Sequence, residues 1–328
     1  MSQVSKRQKI VLPNKDEEFF PGIGKVEYKP DASASETLVF RHYDSQQEIL
    51  GKTMEDWLRF SVCYWHSFRG LGSDPFGSGT IKRPWEDDTD SLDNAKRRLR
   101  AAFEFFSKLA YKEKIGFKGQ FLIEPKAKEP TRHQYDFDAQ TVMSFLHQYG
   151  LTKHFKLNIE PNHTTLAGHP YEHDVIFSSA YGMLGSIDAN TGSPDLGWDT
   201  DQFPMDIRSC TMVMRTVVEQ GGIAPGGLNF DAKVRRESTE VRDLFIAHAG
   251  AMDSFARGLK NAANIISEGV LQKSLNTRYL SWNSGTGARI ASGEATLEEC
   301  EKFIMECGNP NPASGRQEHF EAMFNHYI

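Results

Sequence analysis

Four short apolar runs in this chain each end in a carboxylate, and this repeated pairing is the feature that most suggests chemistry. The runs are GQFLIEP (119–125), FKLNIEP (155–161), GMLGSID (182–188) and GGLNFDA (226–232), and their carboxylates are Glu124, Glu160, Asp188 and Asp231. Three more donors follow closely: His163 in IEPNH, and Asp199 and Asp201 in WDTDQFP. An acidic residue directly after a buried parallel strand faces the carboxyl edge of the sheet, where α/β folds bind ligands. We therefore expect all seven side chains to converge.

Six carboxylates and one imidazole at one edge predict a site for two divalent cations. Crowded carboxylates repel strongly unless positive charge lies between them. Oxygen-rich ligation with a single His favours Mg²⁺ or Mn²⁺, with Co²⁺ also acceptable, over zinc. Lys126 lies two residues past Glu124 and so on the same side of an extended chain. It could hold a substrate oxygen or pair with a carboxylate.

Several neighbouring side chains have ordinary structural explanations. A single acidic residue after a strand is usually a helix cap or part of a solvated turn, although four in register are harder to explain in that way. His169 and His173 are interpreted as structural. Trp65 and His66 close the first predicted strand and belong either to the core or to the wall of a sugar-sized pocket. The basic group of Lys233, Arg235 and Arg236 is interpreted as a solvated or subunit-contact face.

The elements that must position these residues alternate between strand and helix. Residues 57–66 predict a buried strand before a Gly-rich loop, and Ser91 predicts the N-cap of a helix that Gly116 would end. Further helices are predicted near 137–149, 170–180, 204–220, where Pro204 would mark the start, and 239–265. This alternation favours a parallel sheet with helices outside it. We divide the chain into a catalytic domain over 1–284, in which the polar residues 1–36 form an N-terminal entry arm, and a C-terminal extension with short helices over 285–328.

The composition fits a globular protein and excludes several classes. The chain has 328 residues, a formal charge of -6, 39% hydrophobic and 25% charged residues. The mild acidity predicts no nucleic-acid or membrane partner, and the N-terminus predicts no secretory signal. The four cysteines are scattered, which is typical of reduced thiols, so we expect a cytoplasmic protein.

Taken in order, the motifs resemble those of xylose isomerases of the longer bacterial and plant type. The matching segments are RPW, FLIEPK, HQYD, NIEPNHTTLAGH, MLGSIDAN, GWDTDQFP, GGLNFDAK and the C-terminal GRQEHFEAMFNHYI, between about Phe19 and Ile328. The resemblance implies a TIM-type (β/α)8 barrel that assembles as a tetramer through a C-terminal arm. It implies interconversion of D-xylose and D-xylulose, or of D-glucose and D-fructose, with two divalent cations and no organic cofactor.

The resemblance also implies roles for individual residues. Glu124, Glu160, Asp188 and Asp231 would hold a structural metal, and Glu160, His163, Asp199 and Asp201 a catalytic metal. Lys126 would bind the oxygen on substrate carbon 1, Trp65 would line the pocket, and Lys126 and Asp201 would be the catalytic residues. In the family, a hydride then shifts between carbons 1 and 2 of the open-chain sugar.

One region departs from the family pattern. The family's ring-opening base is a His with an Asp partner in an FHDRD motif on the second strand, and this sequence has neither that motif nor the family's WGT and WGGREGY motifs. The segment FFSKLA runs directly into YKEKIGFKGQ. In the family, the first closes the helix before the second strand and the other belongs to the helix before the fifth strand. The resemblance thus implies that two half-helices are joined near Ala110 and Tyr111, that strands two to four, on the order of a hundred residues, are missing, and that about five strands remain.

This loss has structural and chemical consequences. The first strand must either pair with the fifth or leave open edges. Without its base, ring opening would lose about 10²–10⁴ in rate. The alternatives are an isomerase of impaired activity, a non-enzymatic splice form that binds metal or pairs with full-length subunits, and a dinuclear phosphoesterase, which the absence of a phosphate loop disfavours. A gap created by a gene model or by exon skipping is a further alternative.

Overall fold

Strands and helices alternate along most of the chain. A computed structural model of the protein describes residues 18–74, 77–108, 120–129, 131–309 and 311–328. The strands are β1 (Glu27–Tyr28), β2 (Val39–Phe40), β3 (Glu48–Ile49), β4 (Lys52–Thr53), β5 (Phe60–Val62), β6 (Phe121–Ile123), β7 (Phe155–Ile159), β8 (Leu184–Asp188) and β9 (Leu228–Phe230). The α-helices are α1 (Met54–Leu58), α2 (Leu92–Lys108), α3 (Ala139–Gln148), α4 (Pro161–Leu166), α5 (His173–Ala180), α6 (Ile207–Glu219), α7 (Val241–Glu268), α8 (Val270–Arg278), α9 (Gly285–Ala291), α10 (Leu297–Cys307) and α11 (Gln317–Asn325).

Five parallel strands form the central sheet, in the order β5–β9–β8–β7–β6. The predicted α/β class with a parallel sheet is therefore confirmed, and so is the number of retained strands. Within the described residues, β5 pairs only with β9, and β6 pairs only with β7. The sequence left two outcomes, pairing of the first barrel strand with the fifth or open edges. The described residues show open edges, because β5, the first barrel strand, does not pair with β6. Five strands are fewer than the eight that ordinarily close a packed barrel of this kind.

Glycine permits the close approach of β9 to its neighbours. A Cβ on Gly226 would lie 1.9 Å from the carbonyl oxygen of Gly185, and one on Gly227 would lie 2.3 Å from the carbonyl oxygen of Arg59. Both contacts are far shorter than a carbon–oxygen contact allows, and both involve rigid backbone. The Gly pair that opens GGLNFDA is therefore what lets this strand enter the sheet between β5 and β8.

A cluster of aromatic side chains fills the core between the sheet and the long helices. Phe105 lies 4.4 Å from Phe245 and 5.5 Å from Phe68, between ring centroids. Phe20 lies 5.0 Å from Phe245 and is fully buried. Residues 1–36 were predicted to be a polar entry arm, yet Phe19 and Phe20 belong to this core, and Glu104 accepts hydrogen bonds from both of their backbone N–H groups. Burial of two large rings holds this part of the arm against α2.

Side-chain caps set where the helices begin. Ser91 accepts a hydrogen bond from the Asn94 backbone N–H, as its predicted N-cap role requires. The helix predicted from Pro204 begins instead at Ile207, because the side chain of Asp206 caps it by accepting from the Ser209 N–H at 2.7 Å. The predicted stop at Gly116 and the junction at Ala110 and Tyr111 lie outside the described residues.

The segment 57–66 is not the single strand that its apolar composition predicted. Helix α1 occupies its first residues, and Arg59 then adopts a left-handed conformation (φ 46°) that ends the helix. Only β5 is extended, and a π-helix spans Trp65–Arg69. Thr53 caps α1 through the Asp56 N–H, so a local helix start signal prevails over the apolar pattern.

The C-terminal helices α8 to α11 carry much exposed apolar surface. Leu297 and Met305 of α10 are 86% and 80% exposed, and Trp282, in a 3₁₀ turn between α8 and α9, is 46% exposed. The short helices predicted for residues 285–328 are present as α9, α10 and α11. No helix in the described part of the chain is both long and apolar enough to cross a bilayer.

Candidate metal centre

Glu160 lies at the centre of the acidic cluster. It follows β7 directly, is 2% exposed, and belongs to three overlapping groups of side chains whose ligand atoms lie within 4.8 Å of one another. The groups are Glu124–Glu160–His163, Glu160–Asp199–Asp201 and Glu160–Asp188–Asp231. The structure therefore brings together all seven side chains that the sequence selected, and only Glu160 is common to the three groups.

Strand ends and one loop supply these donors. Glu124, Glu160 and Asp231 follow β6, β7 and β9 directly, and Asp188 is the last residue of β8. Parallel pairing of the strands brings these four positions to one edge of the sheet. Asp199 and Asp201 reach the same place from the loop between β8 and α6. Asp201 adopts a left-handed conformation (φ 45°), which costs free energy for a non-glycine residue.

His163 is held between three carboxylates. Its Nε2 lies 2.9 Å from Asp199 Oδ2 and 3.1 Å from Glu160 Oε1, and its Nδ1 lies 3.4 Å from Glu124 Oε1. Nδ1 also lies 3.1 Å from the carbonyl oxygen of Pro125. A Nδ1–H bonded to that carbonyl would leave Nε2 as the metal-facing lone pair, which is the usual arrangement of a His ligand.

Lys126 points into the cluster. Its Nζ donates to Asp199 Oδ2 at 2.8 Å and lies 3.4 Å from Glu129 Oε2. The side chain of Asn162 also donates to Asp199. Of the two roles predicted for Lys126, pairing with a carboxylate is thus present in the structure.

The basic group after β9 belongs partly to the site, which corrects its interpretation as a solvated face. Lys233 Nζ donates to Asp201 Oδ2 at 2.9 Å. Arg235 donates to the backbone carbonyls of Thr200, Asp201 and Lys233. These contacts arise because the loop that carries Asp201 folds over the chain leaving β9. Only Arg236 lies apart, donating to the Ser78 carbonyl.

Burial and mutual repulsion raise the pKa of three of the carboxyl groups. Burial, then the charges of Asp199 and Glu124, raise the pKa of Glu160 well above its usual value. Burial, then the charge of Glu124, raises the pKa of Asp188 to about 7. Burial and the neighbouring Asp199 raise the pKa of Asp201 to about 7 despite Lys233. The cationic side chains of the cluster are therefore too few to balance its carboxylates.

Two carboxyl groups are shifted in the opposite direction. Burial alone would raise the pKa of Asp199, but hydrogen bonds from His163, Asp201 and Lys126 lower it well below its usual value. Burial likewise opposes the lowered pKa of Asp231, which hydrogen bonds from His66 and Cys63 produce. Neighbouring carboxyl groups with separated pKa values are frequent at functional sites.

Sequence reasoning missed a set of asparagines that hold the carboxylates. Asn190 Nδ2 donates to Glu160 Oε1 at 2.7 Å, Asn158 Nδ2 to Glu124 Oε2 at 2.8 Å, and Asn229 Nδ2 to Asp188 Oδ1 at 2.9 Å. A signal was present, because Asn158 and Asn229 precede Glu160 and Asp231 by two residues and so share a strand face with them.

His66 was assigned to the core or to a pocket wall, and it lies beside the carboxylates. Its Nε2 is 3.1 Å from Asp231 Oδ1 and 3.5 Å from Asp201 Oδ2. It also lines a cavity of about 220 Å³ with Gly72 and Lys233. The side chain of Trp65 is outside the described part of the structure, so its role in the pocket stays a prediction.

The donor set fits divalent cations. Oxygen donors dominate, one imidazole contributes nitrogen, and the raised pKa values show that positive charge is in deficit. The fold and this cluster together define an α/β protein with an acidic, oxygen-rich candidate metal centre at the carboxyl edge of its parallel sheet.

Comparison with known proteins assigns the family. Xylose isomerase of Arabidopsis thaliana is 39% identical over 431 positions, which cover 94% of this chain and 90% of that protein. Xylose isomerase 1 of Xanthomonas campestris pv. campestris (strain 8004) is 37% identical, with 95% and 97% coverage, and xylose isomerase of Rhodopirellula baltica is 38% identical, with 94% and 99% coverage. A family model described as the XylA2 C-terminal domain matches residues 275–328. The chain belongs to the xylose isomerase family.

The alignment lengths bear on the missing strands. The alignment with the Arabidopsis protein spans 431 positions, whereas this chain has 328 residues in total. Part of that relative therefore has no counterpart here, as an internal gap requires.

Proposed function

We propose that this chain is an aldose–ketose isomerase that interconverts D-xylose and D-xylulose with the help of two divalent cations, and that its activity is impaired. Family membership supports the reaction class. The observation that carries the metal requirement is the position of Glu160, whose carboxylate belongs to three overlapping groups of candidate ligands that together contain all seven side chains. A buried carboxylate in that position is suited to bridging two ions.

Two sets of ligands follow from this position. Glu124, Glu160, Asp188 and Asp231 would hold one ion, and Glu160, His163, Asp199 and Asp201 the other. Mg²⁺ or Mn²⁺ suits both sets, with Co²⁺ as an alternative. When bound, the ions supply Lewis-acid polarisation of the sugar's carbonyl and hydroxyl oxygens.

The side chains of this chain would then orient the sugar and move a proton. Lys126 would hold the oxygen on carbon 1 through Nζ, in exchange for its present contact with Asp199. Asp201, with a pKa of about 7, could hold or release a proton at Oδ2 during the reaction, and Lys233 would keep that oxygen in place. Trp65 would line the pocket and exclude water, which protects a hydride shift between carbons 1 and 2.

We also propose the architecture of the subunit, its assembly and its location. The open five-stranded sheet is interpreted as a (β/α)8 barrel that lacks its second to fourth units. Residues 285–328 would form an arm that assembles subunits into a tetramer, which agrees with the exposed apolar side chains of α10. We place the protein in the cytoplasm.

Impairment follows from the absent FHDRD motif. Without a positioned base for ring opening, turnover of D-xylose with Mg²⁺ or Mn²⁺ is expected to be about 10²–10⁴ lower than that of the Arabidopsis relative. Purified protein, assayed for D-xylulose, tests this, and the Glu160→Gln variant controls for isomerase carried over from the host. Turnover equal to that of the relative would contradict impairment. No turnover and no calorimetric binding of D-xylose would contradict the proposed function.

The open sheet edge favours a second candidate, a non-enzymatic form that pairs with full-length family members. Phe121 of the edge strand β6 is 72% exposed, and its neighbour Leu122 is 39% exposed. Exposed apolar residues on a strand with one unpaired side promote association. Co-expression with a full-length relative should yield a mixed assembly on size-exclusion chromatography, and Phe121→Lys should weaken it. Separate elution of the two chains would contradict this candidate.

A further inference from the structure

A second cluster of potential ligands lies where α3 and α5 begin, apart from the seven candidate ligands of the acidic centre. It consists of His169, His173 and Asp174, whose ligand atoms lie within 4.8 Å of one another, together with Asp138. The two imidazole rings are stacked, with centroids 4.1 Å apart and an interplanar angle of 11°. Both histidines were interpreted as structural from the sequence.

Each imidazole already has a carboxylate partner. His173 Nδ1 lies 2.9 Å from Asp174 Oδ1, and His169 Nε2 lies 3.2 Å from Asp138 Oδ2. The contact of Asp138 with Nε2 fixes the tautomer of His169 and orients its ring, a pairing that usually accompanies histidines that bind metal through the other nitrogen, here Nδ1. On His173, Nε2 lies 3.3 Å from the side-chain amide of Gln140, so Nδ1 and the facing Asp174 Oδ1 are the two candidate ligand atoms. Asp174 is 2% exposed, whereas the histidine side chains are 28% and 31% exposed, so an ion can reach the cluster from solvent.

We propose that His169, His173 and Asp174 bind one zinc-class cation. Two imidazoles and one carboxylate form a common three-residue zinc ligand set, and water completes the tetrahedron. Neighbouring ligand atoms around such an ion are about 3.3 Å apart, given bonds of 2.0–2.1 Å. The Asp174–His173 contact is already near that separation, so binding requires only small side-chain movements. The nitrogen-rich donor set distinguishes this site from the oxygen-rich acidic centre.

The ion would link two helix starts. Asp174 accepts from the Ala139 N–H at 3.1 Å, and Asp138 accepts from the Thr141 N–H at 2.8 Å, so both carboxylates already cap α3. His173 is the first residue of α5. A cation held here would therefore fasten α3 to α5 on the outside of the sheet, beside the motif that carries His163.

Zinc counting tests this proposal. The protein is stripped with chelator, dialysed against micromolar Zn²⁺ in excess Mg²⁺, and analysed by inductively coupled plasma mass spectrometry. We expect the His169→Gln/His173→Gln variant to lose one zinc per chain, while His154→Gln, at an exposed position, matches the wild type. An equal zinc content in all three proteins would overturn the proposal.

Two further measurements separate this site from the acidic centre and from misfolding. In a Glu124→Gln/Asp188→Asn background, the zinc that depends on His169 and His173 should remain; its loss would assign the ion to the acidic centre and overturn the proposal. In the wild-type protein, Zn²⁺ should protect His169 and His173 from diethylpyrocarbonate, measured by peptide mass spectrometry. Equal modification with and without Zn²⁺ would also overturn it, independently of any variant's folding.

Discussion

The side-chain amide of Asn190 donates a 2.7 Å hydrogen bond from Nδ2 to Oε1 of Glu160. The same nitrogen donates to the Asp231 carbonyl oxygen at 2.8 Å and lies 3.4 Å from Asp201 Oδ1. Asn190 is fully buried. One neutral amide therefore joins parts of both proposed ligand sets without adding charge to a cluster in which charge is already unbalanced.

Loss of this amide should destabilise the protein. Asn190→Ala would leave Glu160 Oε1 without its amide donor, which costs about 1–3 kcal/mol when the partner is buried. Urea unfolding should show this loss, while Asn276→Ala on the exposed face of α8 should lie within about 0.5 kcal/mol of the wild type. Equal effects of the two substitutions would contradict a holding role for Asn190.

Glu160→Gln should separate metal binding from metal-free stability. The neutral amide replaces a carboxylate that is common to both ligand sets, so both ions should bind more weakly. The Mn²⁺ stoichiometry measured by calorimetry should therefore fall. Because burial and the neighbouring carboxylates raise the pKa of Glu160 well above its usual value, a neutral side chain is favoured there without metal, and the chelator-treated variant should unfold at a urea midpoint no lower than that of the wild type. Glu48→Gln, at an exposed position, is the control for charge. Unchanged Mn²⁺ stoichiometry would contradict the bridging position of Glu160.

Stability without metal should depend on pH through Asp188. Its pKa is raised from 3.8 to about 7 by burial and by Glu124, so the folded chain binds a proton that the unfolded chain releases. This contribution is complete below about pH 4 and is lost as the pH rises towards 7. Asp188→Asn should therefore gain stability relative to the wild type between pH 4 and 7, by on the order of 1–3 kcal/mol.

Comparing Asp188→Asn with the wild type cancels the contributions of groups that titrate in both proteins. Burial lowers the pKa of His248 to about 4, which by itself makes the fold more stable as the pH rises from 4 to 6.5, and this effect is common to both. Urea midpoints measured in chelator at pH 4.5 and 7.5 give the difference. With excess Mg²⁺, the advantage of the variant at pH 7.5 should reverse, because Asp188 then binds the ion. A pH-independent difference in chelator would contradict the prediction.

The open edge should make the chain self-associate. Phe121→Lys places a charge on a strand edge that within the described residues pairs on one side only, and such charges suppress edge-to-edge association. Light scattering at rising concentration should show less association than in the wild type. The unfolding free energy should change by less than about 0.5 kcal/mol because the side chain is exposed. Tyr135→Lys, at another exposed aromatic residue, is the control, and equal reductions would show that surface charge alone was responsible.

Much of the candidate site could be predicted from local patterns. Short apolar runs, each ending in a carboxylate, identified Glu124, Glu160 and Asp188 as neighbours because parallel strands bring their ends to one edge. The prediction was wrong for the strand at 57–66 and for the helix start at Pro204. There, capping by Thr53 and Asp206 determined the boundaries. The apolar pattern of a segment does not show which side chain forms such a capping hydrogen bond.

The sequence by itself determined the alternation of strands and helices, the acidic donors and the loss of a catalytic motif, since these depend on residue type and near neighbours. Only the tertiary structure decided that the sheet edges are open among the residues it describes, that Asn190 joins Glu160 to Asp231, that Lys233 pairs with Asp201, and that His169 stacks on His173. These relationships depend on how distant segments meet in space, and burial and charge act on the groups that are brought together there.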